Sequence, residues 1–218
     1  LTNQEKSDAA RQYARVLKNL HAWTLPQEVV SRLEKNNDNF VTAQAIVGTD
    51  VNPLPINRVL TVIEALRTLS SIDTELLDKI TTKILTIKPQ DPFIAEGLVV
   101  VHGDASMTNI LWHKDKITAL LDFEWVRMGP RDLELVAILG FMREQFTNKK
   151  EDYDLIIVAL KKEYPELFKS PNLLDRLWLY EAAYGLRQLF LNLPKNYTLA
   201  TRRLQEIFDG NDNSDLLM

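Results

Sequence analysis

Two acidic residues and one amide near the middle of the sequence have the side chains and spacing needed for metal-assisted chemistry. Asp104 and Asn109 stand in VVHGDASMTNILW (100–112), and Asp122 follows thirteen residues after Asn109. Carboxylate and amide oxygens are hard ligands that suit Mg²⁺, which one or two protein groups usually hold together with substrate phosphates. We therefore predict that Asn109 and Asp122 hold Mg²⁺, which leaves Asp104 to take a proton from a hydroxyl.

Short strands are predicted on both sides of this polar segment. The β-branched run in GLVVVHG predicts a strand over 98–101, and NILW and KITALLDF predict two more. The polar HKDK (113–116) indicates a hairpin turn between the last two strands. Pairing about this turn would bring Asn109 and Asp122 to the same open end of the hairpin. Asp104 would arrive from the preceding loop, where Gly103 allows a tight turn.

The rest of the sequence is predicted to be mostly helical. Thr2 and Glu5 form a capping-box pattern, and apolar residues from Tyr13 onward repeat at helical spacing. Another helix is predicted to follow Ser170, with Ser170 as its N-cap and Pro171 in its first turn. The segments NNDN (36–39) and KPQDP (88–92) predict breaks between helices. The remaining predicted helices begin after Pro26 or span 56–69, 73–85, 131–146, 151–164 and 195–208. We predict an α+β, mainly α-helical fold in a single domain, 1–218. It would be helical over 1–87 and 129–218, with the strands and site-bearing loops over 88–128.

The composition argues against several classes of protein. The formal net charge is -4, so no basic face for nucleic acid is expected, and the longest apolar runs are too short to span a membrane. The chain has no cysteine, which excludes disulfides, thiolate catalysis and cysteine-ligated zinc, and a cytoplasmic location is expected. A metallophosphoesterase needs several metal-binding histidines, and the three histidines present do not supply them.

The order of motifs in this sequence resembles that of the aminoglycoside phosphotransferase and choline kinase family. The members of that family are small-molecule kinases with a protein-kinase-like fold. In that family, His-Gly-Asp is followed after four residues by Asn, and HGDASMTN (102–109) matches this pattern. An Asp-Phe-Glu-like motif then follows a β-hairpin in the family, and LLDFE (120–124) matches it. LKNLHAW (17–23) is similar to the family's Leu-His helix, and GPRDLELVAIL (129–139) is similar to its Gly-Asp-Pro-x-x-Asp-Leu-Ala segment in a varied form. The resemblance runs from near residue 1 to about 140 and implies the C-terminal lobe of a protein-kinase-like fold.

The resemblance implies transfer of the γ-phosphoryl group of ATP to a hydroxyl of a small aminoglycoside- or choline-like substrate. Asp104 would orient and deprotonate the acceptor, while Asn109 and Asp122 would hold the Mg²⁺ that bridges the phosphates. Leu111 and Leu121, which flank the metal ligands, would form part of the floor under the adenine.

Several other polar residues are candidates for supporting roles. His102 is expected to hold the loop by hydrogen bonding rather than to act as an acid or base, and Asp132 to brace the loop or cap its helix. His21 is expected to be a packed, structural histidine. Glu124 is a further acidic candidate near the metal.

LWLYEAAYGL (177–186) places Trp178, Glu181 and Tyr184 on nearby helical turns. Because late helices help to form the acceptor pocket in the resembling family, this aromatic and acidic surface is a candidate for binding a cation. An aromatic stripe at helical spacing more often belongs to a core, and we prefer that interpretation.

The sequence lacks the second lobe that kinase-like enzymes have. That lobe is a β-sheet with a phosphate-covering loop and a phosphate-binding Lys, but the seven glycines form no glycine-rich loop, and the region before residue 90 is predicted to be helical. We therefore expect this chain, which begins with Leu, to be an excised piece from which the N-terminal β-lobe is absent. We expect little kinase activity from it alone. The alternative is a stand-alone, non-catalytic lobe that binds a ligand or a protein, although Asp104, Asn109 and Asp122 argue against it.

Overall fold

The computed structural model describes residues 2–35, 55–69, 73–87, 97–144, 150–191 and 197–209, and these residues form two compact units. Unit 1 contains helix α1 (Asn3–His21), four short strands and two later helices. Among the described residues, unit 2 contains four helices from two separate parts of the sequence, together with the end of the helix that the unit boundary divides. The boundary between the units falls within helix α2 (Gln27–Lys35), which follows Pro26 as the sequence predicts.

Helix α1 begins at the predicted capping box. The Thr2 hydroxyl accepts the backbone N–H of Glu5 at 3.3 Å, and the Glu5 carboxylate accepts the backbone N–H of Thr2 at 2.6 Å. These two bonds satisfy amides that the first helical turn leaves without partners. The apolar residues of α1, including Tyr13 and Leu17, recur with the period of the helix and therefore lie on one face. This face is buried.

The strands of unit 1 form two separate two-stranded antiparallel sheets. Strands β2 (Ile110–His113) and β3 (Lys116–Leu120) form the predicted hairpin, in which Ile110 lies opposite Leu120. Its turn residues, Lys114 and Asp115, both have positive φ angles of 46° and 61°, the conformation that tight two-residue hairpin turns require.

The other sheet joins parts of the sequence that are far apart. Strand β1 (Val99–Val101), which was predicted, pairs with β4 (Arg127–Gly129), which was not. Val101 lies opposite Arg127, so this pairing fixes the residues directly before His102. β4 has only three residues and no alternating pattern, so no local signal indicates this strand.

Two helices complete unit 1. A 3₁₀ turn over Arg131–Leu133 leads into α5 (Glu134–Glu144), and α6 (Lys150–Glu163) packs against α1. The sequence predicts that a helix begins at Arg131. The first three residues of that segment instead form the 3₁₀ turn, which is wound more tightly than an α-helix, and the α-helix begins after it.

Unit 2 is built around an apolar cluster. Its helices are α3 (Ile56–Arg67), α4 (Thr74–Ile87), α7 (Leu173–Leu191), which enters the unit at Leu174, and α8 (Tyr197–Phe208). The cluster consists mainly of Ile, Val, Leu and Ala side chains from all four helices, which the periodic spacing of the sequence predicts.

The predicted start of α7 is wrong. Ser170 and Pro171 precede the helix in a turn, and Asn172 has a left-handed φ of 54°, which is incompatible with the α-helical backbone. The helix therefore begins at Leu173, so Ser170 is not its N-cap and Pro171 is not in its first turn. The predicted breaks at 36–39 and 88–92 lie outside the described residues.

None of the helices in the described ranges combines the length and apolar character needed to cross a membrane.

Candidate active site

The polar loop, residues 102–109, begins where β1 ends, and His102 ties it to the end of the hairpin. His102 Nε2 lies 2.9 Å from the carbonyl oxygen of Leu121, and its Nδ1 lies 3.4 Å from the backbone nitrogen of Asp104. Since a carbonyl can only accept and an amide N–H can only donate, His102 carries its proton on Nε2. Burial lowers its pKa, with the Leu121 carbonyl partly offsetting the effect. His102 is fully buried and contacts both the hairpin end and the Asp104 backbone, and its supporting role stays a prediction.

Asp104 and Asn109 lie in direct contact. The Asn109 side-chain amide donates to Asp104 twice, to its backbone oxygen and to its Oδ2, each at 2.9 Å. Burial raises the pKa of the Asp104 carboxyl, and the nearby Asp122 and Glu124 raise it further, while Asn109 and His102 oppose the shift. The loop therefore holds a carboxylate in a fixed position with an increased affinity for protons.

The hairpin brings the predicted metal ligands to one end, as the sequence analysis expects. The Leu121 N–H donates to the Asn109 carbonyl at 2.8 Å, and Asp122 follows directly with a left-handed backbone, φ 61° and ψ 67°. Asp122 is exposed and its carboxylate makes no hydrogen bond among the described residues.

The available ligand atoms at this end suit Mg²⁺. Because the Asn109 NH₂ group is engaged by Asp104, the amide oxygen is the atom left to coordinate a cation, and the Asp122 carboxylate supplies the second hard ligand. Within the described part of the chain, no group of three or more His, Asp or Glu side chains could hold a metal ion. A cation that takes the rest of its ligands from phosphates and water fits such a site.

Gly103 has a conformation and an environment that exclude other residues. Its φ is +82°, and a Cβ atom placed there would lie 2.7 Å from the backbone oxygen of Trp125. The chain therefore needs glycine immediately before Asp104, both for the backbone angle and for the close approach of the segment that follows Asp122.

A buried carboxylate that the sequence analysis missed lies directly behind the loop. Glu134, the first residue of α5, is fully buried, and its Oε1 accepts the backbone N–H of Gly103 at 2.8 Å. Burial raises its pKa to about 7, and the backbone amides of Gly103 and His102 and the charge of Arg127 moderate the shift. A carboxylate inside the apolar run LELVAIL is the signal that could have revealed it, because a buried acid requires a polar partner.

Asp132, which was predicted to support the loop or cap a helix, is also buried, in the 3₁₀ turn before α5. Its supporting role stays a prediction. Glu124 lies in the 3₁₀ turn after Asp122, where its Oε1 accepts the indole N–H of Trp125 at 2.9 Å.

Apolar side chains remain exposed beside the polar loop. The exposed fractions are 50% for Leu111 and 43% for Leu121, the two residues predicted to lie under the adenine, and Phe123 is also exposed. The Phe123 ring lies next to the His102 ring, with ring centroids 4.5 Å apart and the two ring planes tilted by 50°. Large exposed apolar side chains that cluster beside polar groups commonly mark a ligand site.

The remaining predicted residues lie elsewhere. His21 is buried in unit 1, where its Nδ1 lies 3.0 Å from the Tyr164 hydroxyl, in agreement with a structural role. Trp178 belongs to the apolar cluster of unit 2 and stacks under the Lys83 ammonium, 4.1 Å from the ring centroid. Glu181 is buried in α7, and the preferred interpretation of this stretch as core fits Trp178 and Glu181 better than an exposed cation site. Tyr184 lies on the same helix.

Comparisons with known proteins bear on the family and the fold of the chain. A family model described as "Phosphotransferase enzyme family" matches residues 1–160. The ADP-bound aminoglycoside phosphotransferase APH(2'')-Ib is a structural neighbour with a TM-score of 0.59 and 17% identity, covering 100% of this chain and 67% of that chain. The streptomycin–ATP–APH(2'')-IIa ternary complex has a TM-score of 0.60 and 19% identity, and the match covers 95% of this chain and 66% of that chain.

A third neighbour, the GDP complex of aminoglycoside 2'-phosphotransferase-IIIa, has a TM-score of 0.60 and 17% identity, covering 97% of this chain and 64% of that chain. At these identities the likeness shows a shared fold. The chain spans about two thirds of the length of these solved structures. Among the curated proteins, none matches the chain.

Proposed function

The chain belongs to the phosphotransferase enzyme family, and from this premise we propose that it is the catalytic lobe of an ATP-dependent small-molecule kinase. The reaction would transfer the γ-phosphoryl group of ATP to a hydroxyl of a small substrate. The observation that carries the proposal is the pair of bonds from Asn109 to Asp104, because it joins a proton acceptor and a metal ligand in one rigid loop.

Asp104 would act on the acceptor hydroxyl. As the acceptor oxygen forms its bond to the γ-phosphorus, the bond between that phosphorus and the β–γ bridging oxygen breaks, and ADP leaves. The hydroxyl proton passes to the Asp104 carboxylate, whose raised pKa favours its capture. Catalysis of this kind depends mainly on positioning and charge neutralisation, so the fixed geometry of the loop matters more than any reactive group.

Asn109 and Asp122 would hold Mg²⁺, which neutralises phosphate charge when bound. Their donor atoms suit the ion, as described above, and both lie at the same end of the hairpin. Glu124, two residues after Asp122, is a weaker candidate for an additional acidic contact near the ion.

The exposed side chains of Leu111 and Leu121 would form part of the floor under the adenine. Neighbouring structures contain ADP, ATP or GDP, and we propose ATP for this chain. The acceptor is proposed to be an aminoglycoside- or choline-like alcohol. The gentamicin complex among the solved neighbours supports the aminoglycoside class, and the choline-like class rests on the resemblance of the motifs.

We further propose that the whole chain, 1–218, is one kinase-like C-terminal lobe that acts with an N-terminal β-lobe from outside these residues. The share of the solved neighbours that the chain spans supports this view. Alone, the chain is expected to be inactive or nearly so. A cytoplasmic location, without nucleic-acid or membrane partners, stays a prediction from composition. The alternative proposal is a stand-alone, non-catalytic lobe that binds a ligand or a protein.

The test is phosphoryl transfer by the complete natural protein that contains this chain. With Mg²⁺, γ-labelled ATP and a panel of aminoglycosides, macrolides and amino alcohols, we expect labelled product from at least one acceptor. Asp104→Asn should lower the rate by about 10²- to 10⁴-fold while circular dichroism stays unchanged. Asp115→Asn, in the exposed hairpin turn, is the matched control and should keep full activity. Unchanged turnover in Asp104→Asn would remove the role assigned to Asp104.

The same assay distinguishes the alternative. If the complete protein transfers no label to any acceptor or to water, while calorimetry still detects binding of one of these compounds, the non-catalytic lobe becomes the better description. Label transfer by the isolated 218 residues at the rate of the complete protein would contradict the expected need for a second lobe.

A further inference from the structure

The geometry points to Tyr13 on α1 as a further positioning residue, which orients the peptide group after Asp104 and, through it, both Asp104 and Asn109. This inference rests on the proposed function, since it concerns the loop that would carry the reaction. Tyr13 lies outside the motifs of that loop, and the sequence analysis predicts it only as part of a helical pattern.

The Tyr13 side chain reaches the polar loop from a distant part of the sequence. Its hydroxyl donates to the carbonyl oxygen of Ala105, 92 positions away. Tyr13 and Ala105 are each 1% exposed, and Tyr13 lies on the buried face of α1. Because water does not reach these residues, loss of the hydroxyl would take from a buried acceptor a donor that water cannot replace.

The carbonyl that Tyr13 contacts belongs to the same peptide group as the Ser106 N–H. That N–H donates to the Asp104 carbonyl at 2.8 Å, so one planar unit makes both bonds. A rotation of this unit would break the two bonds together. Tyr13 therefore fixes the orientation of the peptide between Ala105 and Ser106, and this peptide in turn holds the Asp104 carbonyl.

The Asp104 carbonyl is also an acceptor for Asn109. The Asn109 side-chain amide donates to this oxygen and to Asp104 Oδ2, each at 2.9 Å. A chain of hydrogen bonds thus runs from α1 through one peptide group to the proposed proton acceptor and the proposed metal ligand. Hydrogen bonds in such a chain polarise and strengthen one another.

The bonds within the loop differ from the bond that Tyr13 makes. The Asp104 carbonyl accepts from Ser106 and Asn109, and the Ser106 carbonyl accepts the Asn109 N–H at 3.0 Å, so these bonds move with the loop. The Ala105 carbonyl accepts instead from a helix outside the loop. Because a displacement of about 1 Å can lower the rate of a positioned reaction about 10²-fold, this external bond has a direct kinetic consequence.

The experiment compares Tyr13→Phe, which removes the hydroxyl and keeps the ring, with two control variants of the complete natural protein. Tyr164→Phe makes the same change at another buried tyrosine of unit 1, whose hydroxyl contacts His21. Leu160→Ala removes a fully buried apolar side chain from α6, so it lowers stability without removing a hydrogen bond. For each protein, kcat, the KM for ATP, and exchange of the Ser106 amide in the absence of ligands are measured.

We expect Tyr13→Phe to lower kcat by about 10- to 100-fold, with the KM for ATP within about twofold of the parent value. Exchange of the Ser106 amide should accelerate in this variant. Tyr164→Phe and Leu160→Ala should keep the parent kcat and the parent exchange of Ser106 under conditions in which they are folded.

Unchanged kcat or unchanged Ser106 exchange in Tyr13→Phe would overturn the inference, as would an equal loss of kcat in Leu160→Ala. If Tyr13→Phe fails to fold, the parent protein decides. Its Ser106 amide should then exchange as slowly as the amides of α1, and exchange as fast as in the exposed hairpin turn would overturn the inference.

The proposed function and this inference fail in different ways. If the parent protein transfers no phosphoryl group to any acceptor, the proposed function fails, and Ser106 exchange alone decides whether Tyr13 holds the loop. Accelerated exchange in Tyr13→Phe, but not in Tyr164→Phe or Leu160→Ala, would support that hold, and equal exchange in all three variants would overturn it.

Discussion

The interiors of the two units differ in polarity. Unit 2 is organised around a cluster of mainly aliphatic side chains from four helices, which also includes Trp178. Among the described residues of this unit, the buried charged side chains lie on α7. Unit 1 buries several ionisable groups among its described residues: His21, His102, Arg127, Asp132 and Glu134. Burying such groups costs free energy unless they find partners, whereas apolar packing is favourable over many arrangements.

The difference indicates what each interior provides. The aliphatic cluster of unit 2 supplies stability through area removed from water and sets few exact positions. The polar interior of unit 1 gains less stability from the removal of surface from water. Its hydrogen bonds instead fix individual atoms, such as the Gly103 nitrogen, whose N–H donates to Glu134. Changes in unit 2 should therefore act mainly on stability, and changes in unit 1 mainly on geometry and on the response to pH.

The largest effect is expected from acidification, which acts on His21. Burial, together with the charge of Arg131, lowers the pKa of His21 to about 3, whereas the unfolded chain has the ordinary value near 6.5. His21 is thus neutral in the folded protein, and its contribution to stability, present above pH 6.5, is lost as the pH falls towards 3.

Between pH 7 and pH 4 this loss amounts to about 3 kcal/mol. Urea unfolding at the two pH values should show a smaller loss for His21→Asn, which cannot titrate, than for the parent chain. An equal loss in both proteins would mean that another group causes the acid sensitivity.

A core truncation in unit 2 should have an effect of comparable size. Ile84→Ala removes a fully buried side chain from α4 and should lower the free energy of unfolding by about 2–5 kcal/mol. Leu85→Ala, at the neighbouring position that is 49% exposed, should change it by only about 0.5 kcal/mol. Both would be measured by urea unfolding, and similar losses in the two variants would contradict the assignment of α4 to the apolar cluster.

A pair of glycine substitutions separates backbone strain from close packing. Gly97 and Gly103 have φ angles of +89° and +82°, but a Cβ atom at Gly97 would meet nothing within 4 Å, whereas one at Gly103 would meet Trp125. Gly97→Ala should lower the free energy of unfolding by about 1 kcal/mol through backbone strain alone. Gly103→Ala should lower it by about 2–3 kcal/mol, because the contact with Trp125 adds to the strain.

Thermal unfolding measures both glycine variants. Gly103→Ala should also lower phosphoryl transfer by the complete protein, because the polar loop must shift to avoid Trp125. A Gly103→Ala protein with the stability and activity of Gly97→Ala would show that the loop is less constrained than its contacts indicate.

The smallest effect is expected at the hairpin turn of unit 1. Gln12 on α1 donates to the Asp115 carbonyl at 2.8 Å and accepts the Ile117 N–H at 3.1 Å. Because these bonds are partly exposed, Gln12→Ala should cost about 1 kcal/mol or less and accelerate amide exchange in the hairpin. Gln4→Ala, whose side chain contacts only Asp8 within the same helix among the described residues, should leave hairpin exchange unchanged.

Local patterns in the sequence predict much of this fold. The capping box at Thr2, the hairpin about HKDK and most helices depend on residues close together in the chain, and the structure confirms them. The convergence of Asn109 and Asp122 at one end of the hairpin follows from the same local pairing. Their roles, with that of Asp104, stay predictions.

The features that escaped prediction are nonlocal or depend on a single backbone angle. The pairing of β1 with β4, the contact of Glu134 with Gly103 and the contact of Tyr13 with Ala105 each join distant parts of the sequence. No periodicity within one segment can reveal such contacts. The late start of α7 depends on the left-handed Asn172.

The left-handed backbone of Asp122 restricts which variants, natural or engineered, can be interpreted at this position. Aspartate and asparagine tolerate this conformation better than most residues, and glycine adopts it freely. Asp122→Asn therefore changes the charge alone, and Asp122→Gly removes the side chain without strain. Substitution by alanine would combine the loss of the carboxylate with a strained backbone at the exit of the hairpin. Among homologous chains, a glycine at this position would indicate that the turn is retained after its chemistry has been lost.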